Sequence, residues 1–172
     1  NSINEGKIFI GSSSKCFASV KIPDSIKTIK QFIINGCHVI DILLYYFGDL
    51  KVINSYKLKK NMGFYFLLKS NNNDLISCLL NWGSPQNFEI DIINEQNQRL
   101  LLKPLETSFY FEKMKKIEPT KKHPIRSYIP NLIKKKSTIF EGMRYKPGFI
   151  EQYKEVKQII LNKNKKTNLC NL

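Results

Sequence analysis

"GCHVIDILLYYFGDL", residues 36–50, reads as a short apolar helix that Gly48 closes, with His38 and Asp41 three positions apart on one side of it. The spacing of Ile40, Leu43, Leu44 and Phe47 predicts the packing face of that helix. Gly48 is free to take the left-handed conformation that stops it. Of the two histidines in the chain, His38 is the one set on a defined helix beside a carboxylate.

Upstream, residues 8–10 and 17–22 read as strand pieces around a serine-rich bend, and Pro23 and Asp24 end the extended run. Ile26, Ile29 and Ile33 fit one helical stripe, with a break expected at Asn35 and Gly36. Downstream the period changes from helical to alternating. Residues 51–57, 64–68, 75–82, 88–93, 99–102 and 108–111 are short apolar or alternating runs separated by Asn, Gly, Ser and Gln. Residues 119–147 are lysine-rich and proline-marked, and read as a long connection with a short helix near 128–134. Phe149, Tyr153, Val156, Ile159 and Ile160 place a packing stripe on a terminal helix over residues 149–161.

These elements predict an α+β fold, a large, predominantly antiparallel open sheet covered on one face by helices. Residues 1–161 form the domain and residues 162–172 a polar C-terminal tail. The aromatics of the strands support a sheet face that is packed or covered by another subunit, so a homo-oligomer is expected.

A chain of 172 residues with 42% hydrophobic content can bury a substantial core. Cys16, Cys37, Cys78 and Cys170 are scattered, and with two histidines they show neither metal-ligand pairs nor a disulfide framework. No metal site is expected. No leader is visible and no apolar run is long enough to cross a bilayer, so the reading is a cytoplasmic protein with no membrane partner. The net charge of +14 leaves three readings open: a solvated basic surface, attraction of an anionic ligand or acidic partner, and nucleic acid. The scarcity of arginine, at three residues, counts against nucleic acid. Neither a dinucleotide fingerprint nor a triphosphate loop is present.

The ordered series of "NGCHVIDILLYYFGDL" at 35–50, the strand-rich middle and "YKPGFIEQYKEVKQII" at 145–160 resembles the C-terminal domain of the glucose-fructose oxidoreductase, inositol dehydrogenase and rhizopine catabolism family. The first stretch is similar to that family's glycine, histidine and aspartate motif on an apolar helix. The second is similar to the basic-proline-glycine segment that leads into its closing helix.

The resemblance implies a two-domain enzyme in which a missing N-terminal dinucleotide-binding domain holds NAD or NADP, with the active site between the domains. It implies that this chain alone binds no cofactor and does not complete turnover, and that the substrate is a sugar, nucleotide-sugar or cyclitol. On that basis His38 matches the active-site histidine and Asp41 the acidic position of the helix motif, while Tyr145 and Lys146 are the candidate substrate contacts. An imidazole, with an ordinary pKa of about 6.5, suits acceptance of a hydroxyl proton while nicotinamide takes the hydride. Read from the residues alone, His38 equally serves to bridge backbone groups at a helix start. Ile34 stands where many dehydrogenases of the family carry an aspartate, and isoleucine neither accepts a proton nor orients an imidazole. That departure keeps a second reading open, a noncatalytic assembly or anionic-ligand-binding domain.

Overall fold

Alternation decides the sheet. In β1 (Cys16–Asp24), Cys16, Ala18 and Val20 are buried, and in β4 (Leu75–Trp82) so are Ile76, Cys78 and Leu80. The residues between them point the other way, as a pleated strand requires. The protein, described by a computed structural model over residues 2–11, 15–24, 29–58, 63–82, 88–138 and 149–161, divides into two units, Asn1–Ser137 and Thr138–Leu172.

The first unit contains α1 (Ser2–Gly11), β1, α2 (Ile29–Phe47), β2 (Leu50–Lys57), β3 (Gly63–Ser70), β4, β5 (Glu89–Asn94), β6 (Gln98–Leu102), β7 (Thr107–Ile117) and β8 (Ser127–Ser137). All eight strands form one sheet in the order β2-β3-β4-β1-β5-β6-β7-β8. β1 and β4 are parallel and every other neighbouring pair is antiparallel, so the sheet is mixed but predominantly antiparallel. Joining two parallel strands needs a crossover, and α2 lies in the segment that supplies it.

Registers turn the alternation into rows. Leu68, Ile76, Ala18, Ile92, Leu100 and Tyr110 lie opposite one another across six strands, and Phe66, Cys78, Val20, Ile90 and Leu102 form the next row on the same face. Phe9 and Ile10 of α1 and Val39, Leu43, Tyr46 and Phe47 of α2 complete this core. Each large side chain fully buried here contributes about 1.5–3 kcal/mol. The opposite face carries the row Leu67, Ser77, Ser19, Asp91, Leu101 and Phe109, which mixes apolar and polar groups.

Four expectations change. The strand expected at 8–10 is part of α1, because Gly6, Phe9 and Ile10 are buried at helical spacing while Ile8 is exposed. A three-residue apolar run does not distinguish the two periods. The break expected at Asn35 and Gly36 is absent, since α2 runs unbroken from Ile29 to Phe47. An interior glycine costs about 1 kcal/mol, less than one buried side chain returns.

The packing face of α2 is also rotated. Val39, Leu43, Tyr46 and Phe47 are buried, whereas Ile40 and Leu44 are 49% and 45% exposed. Residues 39–47 are apolar almost all round, so spacing alone leaves the phase undetermined. Finally, residues 127–137 are the edge strand β8 rather than a connection with a short helix, and β7 continues to Ile117. Pro130, opposite Met114, is tolerated because an edge strand has one side on which its missing N–H is not needed.

The second unit contributes α3 (Phe149–Leu161), at the expected place. Its expected stripe is exposed at Phe149, Tyr153, Val156 and Ile160, with Ile159 half-buried. The expected tail, residues 162–172, lies outside the described residues.

Candidate functional site

The solvent side of α2 is defined by the side that packs. With Val39, Leu43 and Tyr46 turned into the core, the positions of His38, Asp41 and Tyr45 fall on one outward stripe, and all three residues are exposed. The sequence reading of His38 and Asp41 as neighbours on one helical side therefore holds in the fold. Tyr145 and Lys146 lie outside the described residues, as does the side chain of Ile34, whose backbone belongs to α2.

The C-terminal end of α2 is fixed by three devices. Gly48 adopts φ +71° and its N–H donates to the Leu44 carbonyl at 2.9 Å, the left-handed cap anticipated from the sequence. From α1, the Lys7 ammonium donates to the carbonyls of Tyr45 and, at 3.2 Å, Tyr46. A cation there also complements the negative end of the helix dipole. Lys7 lies 5.3 Å from the centre of the Tyr45 ring, and the Tyr45 hydroxyl donates to Asn4 Oδ1 at 3.3 Å. Tyr45 is thus held against α1 at the end of the His38 stripe. Sequence reasoning missed it, although its spacing of seven from His38 was available.

Beneath this stripe, Tyr46 is 2% exposed and its hydroxyl has no hydrogen-bond partner among the described residues. Burial, aided by the neighbouring Tyr45, pushes its phenol far above the ordinary range. Gly6 makes room for the ring, because a Cβ at that position would lie 2.5 Å from the Tyr46 hydroxyl oxygen. Elsewhere in the core, burial pushes the Cys78 thiol up to about 12, which keeps it protonated and unreactive.

On the other face of the sheet, Glu89 accepts Lys103 at 2.7 Å and Lys21 at 3.5 Å. Burial pushes its carboxyl up, but the two ammonium groups outweigh that and hold it below the ordinary range. Arg99 makes a two-pronged pair with Asp91 at 2.8 and 2.7 Å. These ions satisfy one another. Among the described residues, no three His, Cys, Asp or Glu side chains converge as a metal site, and no helix is long and apolar enough to cross a membrane.

What the α2 stripe offers chemically is an accessible imidazole with a carboxylate one turn on and a tyrosine beyond it. Such a set can accept and pass on a proton from a bound hydroxyl.

No protein-family model and no curated protein sequence matches this chain. Solved structures do match it in fold. An oxidoreductase from Thermotoga maritima superposes with a TM-score of 0.62 over 98% of this chain and 51% of its own, at 9% identity. A protein assigned as an NADPH-dependent oxidoreductase from Desulfitobacterium hafniense gives 0.60 over 97% and 53%, at 14% identity. An Agrobacterium radiobacter oxidoreductase, solved with NAD+, L-tartaric acid and magnesium, gives 0.50 over 64% and 40%, at 13% identity. The mixed eight-stranded sheet and the three helices found among the described residues thus match the fold of the C-terminal domain of oxidoreductases. The chain spans about half the length of the first two structures and two fifths of the third.

Proposed function

We propose that this chain is the substrate-facing and assembly domain of a nicotinamide-dependent oxidoreductase of the glucose-fructose oxidoreductase, inositol dehydrogenase and rhizopine catabolism type. The observation that carries the reading is the outward stripe of His38 and Asp41 on α2, in a fold shared with oxidoreductases of about twice this length. In this reading His38 accepts the proton of a sugar, nucleotide-sugar or cyclitol hydroxyl, and Asp41 supports it electrostatically. Tyr145 and Lys146 contact the substrate. An N-terminal dinucleotide-binding domain holds NAD or NADP, which supplies hydride acceptance when bound. The sheet face opposite the helices, with its apolar Leu67, Leu101 and Phe109, supports a homo-oligomer.

The test is steady-state turnover of the full-length protein with His38→Gln. Loss of a proton acceptor lowers kcat/KM by about 10²–10⁴. Retained turnover refutes the chemical role. Ile34, in place of an aspartate four residues before His38, favours the second reading, a noncatalytic assembly or anionic-ligand-binding domain. That reading predicts that His38→Gln leaves the protein's behaviour unchanged while substitutions on the open sheet face alter its oligomeric state.

A further inference from the structure

The β7–β8 hairpin runs out beyond the rest of the sheet. Gln98 of β6 still pairs with Glu112, but from Met114 to Ile117 β7 is paired with β8 alone. Every residue from 113 to 130 is exposed. Residues 112–137 hold nine Lys or Arg against two Glu, a net +7 out of the chain's +14 on less than a sixth of its length.

We propose that this ribbon is a docking strand for an acidic, extended segment of a partner polypeptide, which adds along the outer edge of β8. Three observations point to that occupant. In the Asn1–Ser137 unit β8 is the last strand, so among the described residues no strand of the sheet pairs with the outer side of residues 127–136. An added strand supplies those partners by a main-chain ladder, which is a polypeptide's mode of binding. Secondly, the ribbon's charge is complementary to an acidic segment and repels another copy of itself, because two net +7 hairpins would meet within a Debye length of about 8–10 Å.

Thirdly, cations and apolar groups are mixed on both faces. Met114, Lys116 and Tyr128 share one face, and Lys115, Ile117 and Ile129 the other. A lipid surface calls for a single segregated apolar face. Single-stranded nucleic acid calls for arginine and stacking aromatics. Here the single arginine, Arg126, is engaged by Glu118 at 3.0 Å, and the exposed apolar side chains are mostly aliphatic, with Ile125 at 79% exposure near the tip. An edge lysine also discourages aggregation, but that role leaves the accompanying Met114, Ile117, Ile125 and Ile129 unexplained.

The experiment is fluorescence anisotropy of the 172-residue chain with a labelled peptide of alternating Glu and Val, about ten residues long, the length of a strand. Binding is expected, and it weakens at least about tenfold when salt rises from about 0.1 to about 1 M and the Debye length shrinks to about 3 Å. The same peptide N-methylated at alternate residues binds at least about tenfold more weakly, because it loses several ladder hydrogen bonds. Replacing Lys115, Lys116, Lys121 and Lys122 together with Ser weakens binding by a similar factor, about tenfold, while the circular dichroism spectrum is unchanged. Equal affinity for the N-methylated peptide overturns the strand addition. No peptide binding, or preferential binding of single-stranded RNA or phosphatidylserine vesicles, overturns the choice of partner. None of these results depends on the role of His38.

Discussion

Replacing Tyr46 with Phe tests how α1 and α2 are seated on the sheet. The ring is 2% exposed and its hydroxyl is buried without a partner among the described residues. An unsatisfied buried hydroxyl costs about 1–3 kcal/mol, and removing it forfeits a few tenths of a kcal/mol of packing. Tyr46→Phe is therefore expected to stabilise the protein by about 1 kcal/mol at neutral pH, roughly a fivefold shift in the folding equilibrium. For a chain of this size that raises Tm by about 2–4 °C.

The difference widens with pH. The folded phenol sits far above its ordinary value of 10.0, so the unfolded chain ionises first and stability is lost as pH rises above 10. At pH 11 this ionisation costs the parent about 1.4 kcal/mol that the Phe variant does not lose. Cys78 and Tyr110, whose values are also raised to about 12, remain in both proteins and cancel in the comparison. The assay is urea unfolding of both proteins at pH 7 and pH 11, with equal slopes confirming the same two-state transition. A variant destabilised by about 1 kcal/mol or more at pH 7 would refute the reasoning, because it would reveal a hydrogen bond to the hydroxyl.

Gly6→Ala drives a methyl group against the Tyr46 ring. Overpacking of about 1–3 kcal/mol outweighs the roughly 1 kcal/mol of helix propensity gained, so a lower Tm is expected in thermal melts. Gly48→Ala forces a side chain into the left-handed conformation that ends α2 and should cost about 1 kcal/mol in urea unfolding, with the fold retained. Glu89 is held below its ordinary value of 4.5 when folded, so its stabilisation is present above pH 4.5 and lost as pH falls through the folded value. Glu89→Gln should flatten that part of the acid-unfolding curve, and an unchanged acid limb would show that Lys21 and Lys103 do not stabilise the carboxylate.

Much of the sheet is legible in the residues. Seven of its strands announce themselves because half-buried strands must alternate, as Ile76, Cys78 and Leu80 do against their outward neighbours. β8 is hidden because Pro130 and the lysines at 134–136 read as a loop, and only its place at the sheet edge makes both acceptable. α1 is hidden because its apolar run at 8–10 is too short to show a period, while its real signal is the spacing of Gly6, Phe9 and Ile10. In α2, two exposed aliphatics, Ile40 and Leu44, disguise the phase that tertiary packing then chooses.

The candidate site is legible to the extent that it is local. His38 and Asp41 share a helical side by spacing alone. Lys7 and Asn4 meet Tyr45 across 38 and 41 positions of sequence, and no local pattern encodes that contact.

The central claim is that His38 faces the reacting hydroxyl, and a crystal structure of the full-length protein with nicotinamide cofactor and a candidate sugar tests it most directly. The account predicts a His38 ring nitrogen within about 2.6–3.2 Å of the substrate hydroxyl, with the Asp41 and Tyr45 side of α2 lining the same cleft. A cleft that excludes the outward stripe of α2 would contradict it.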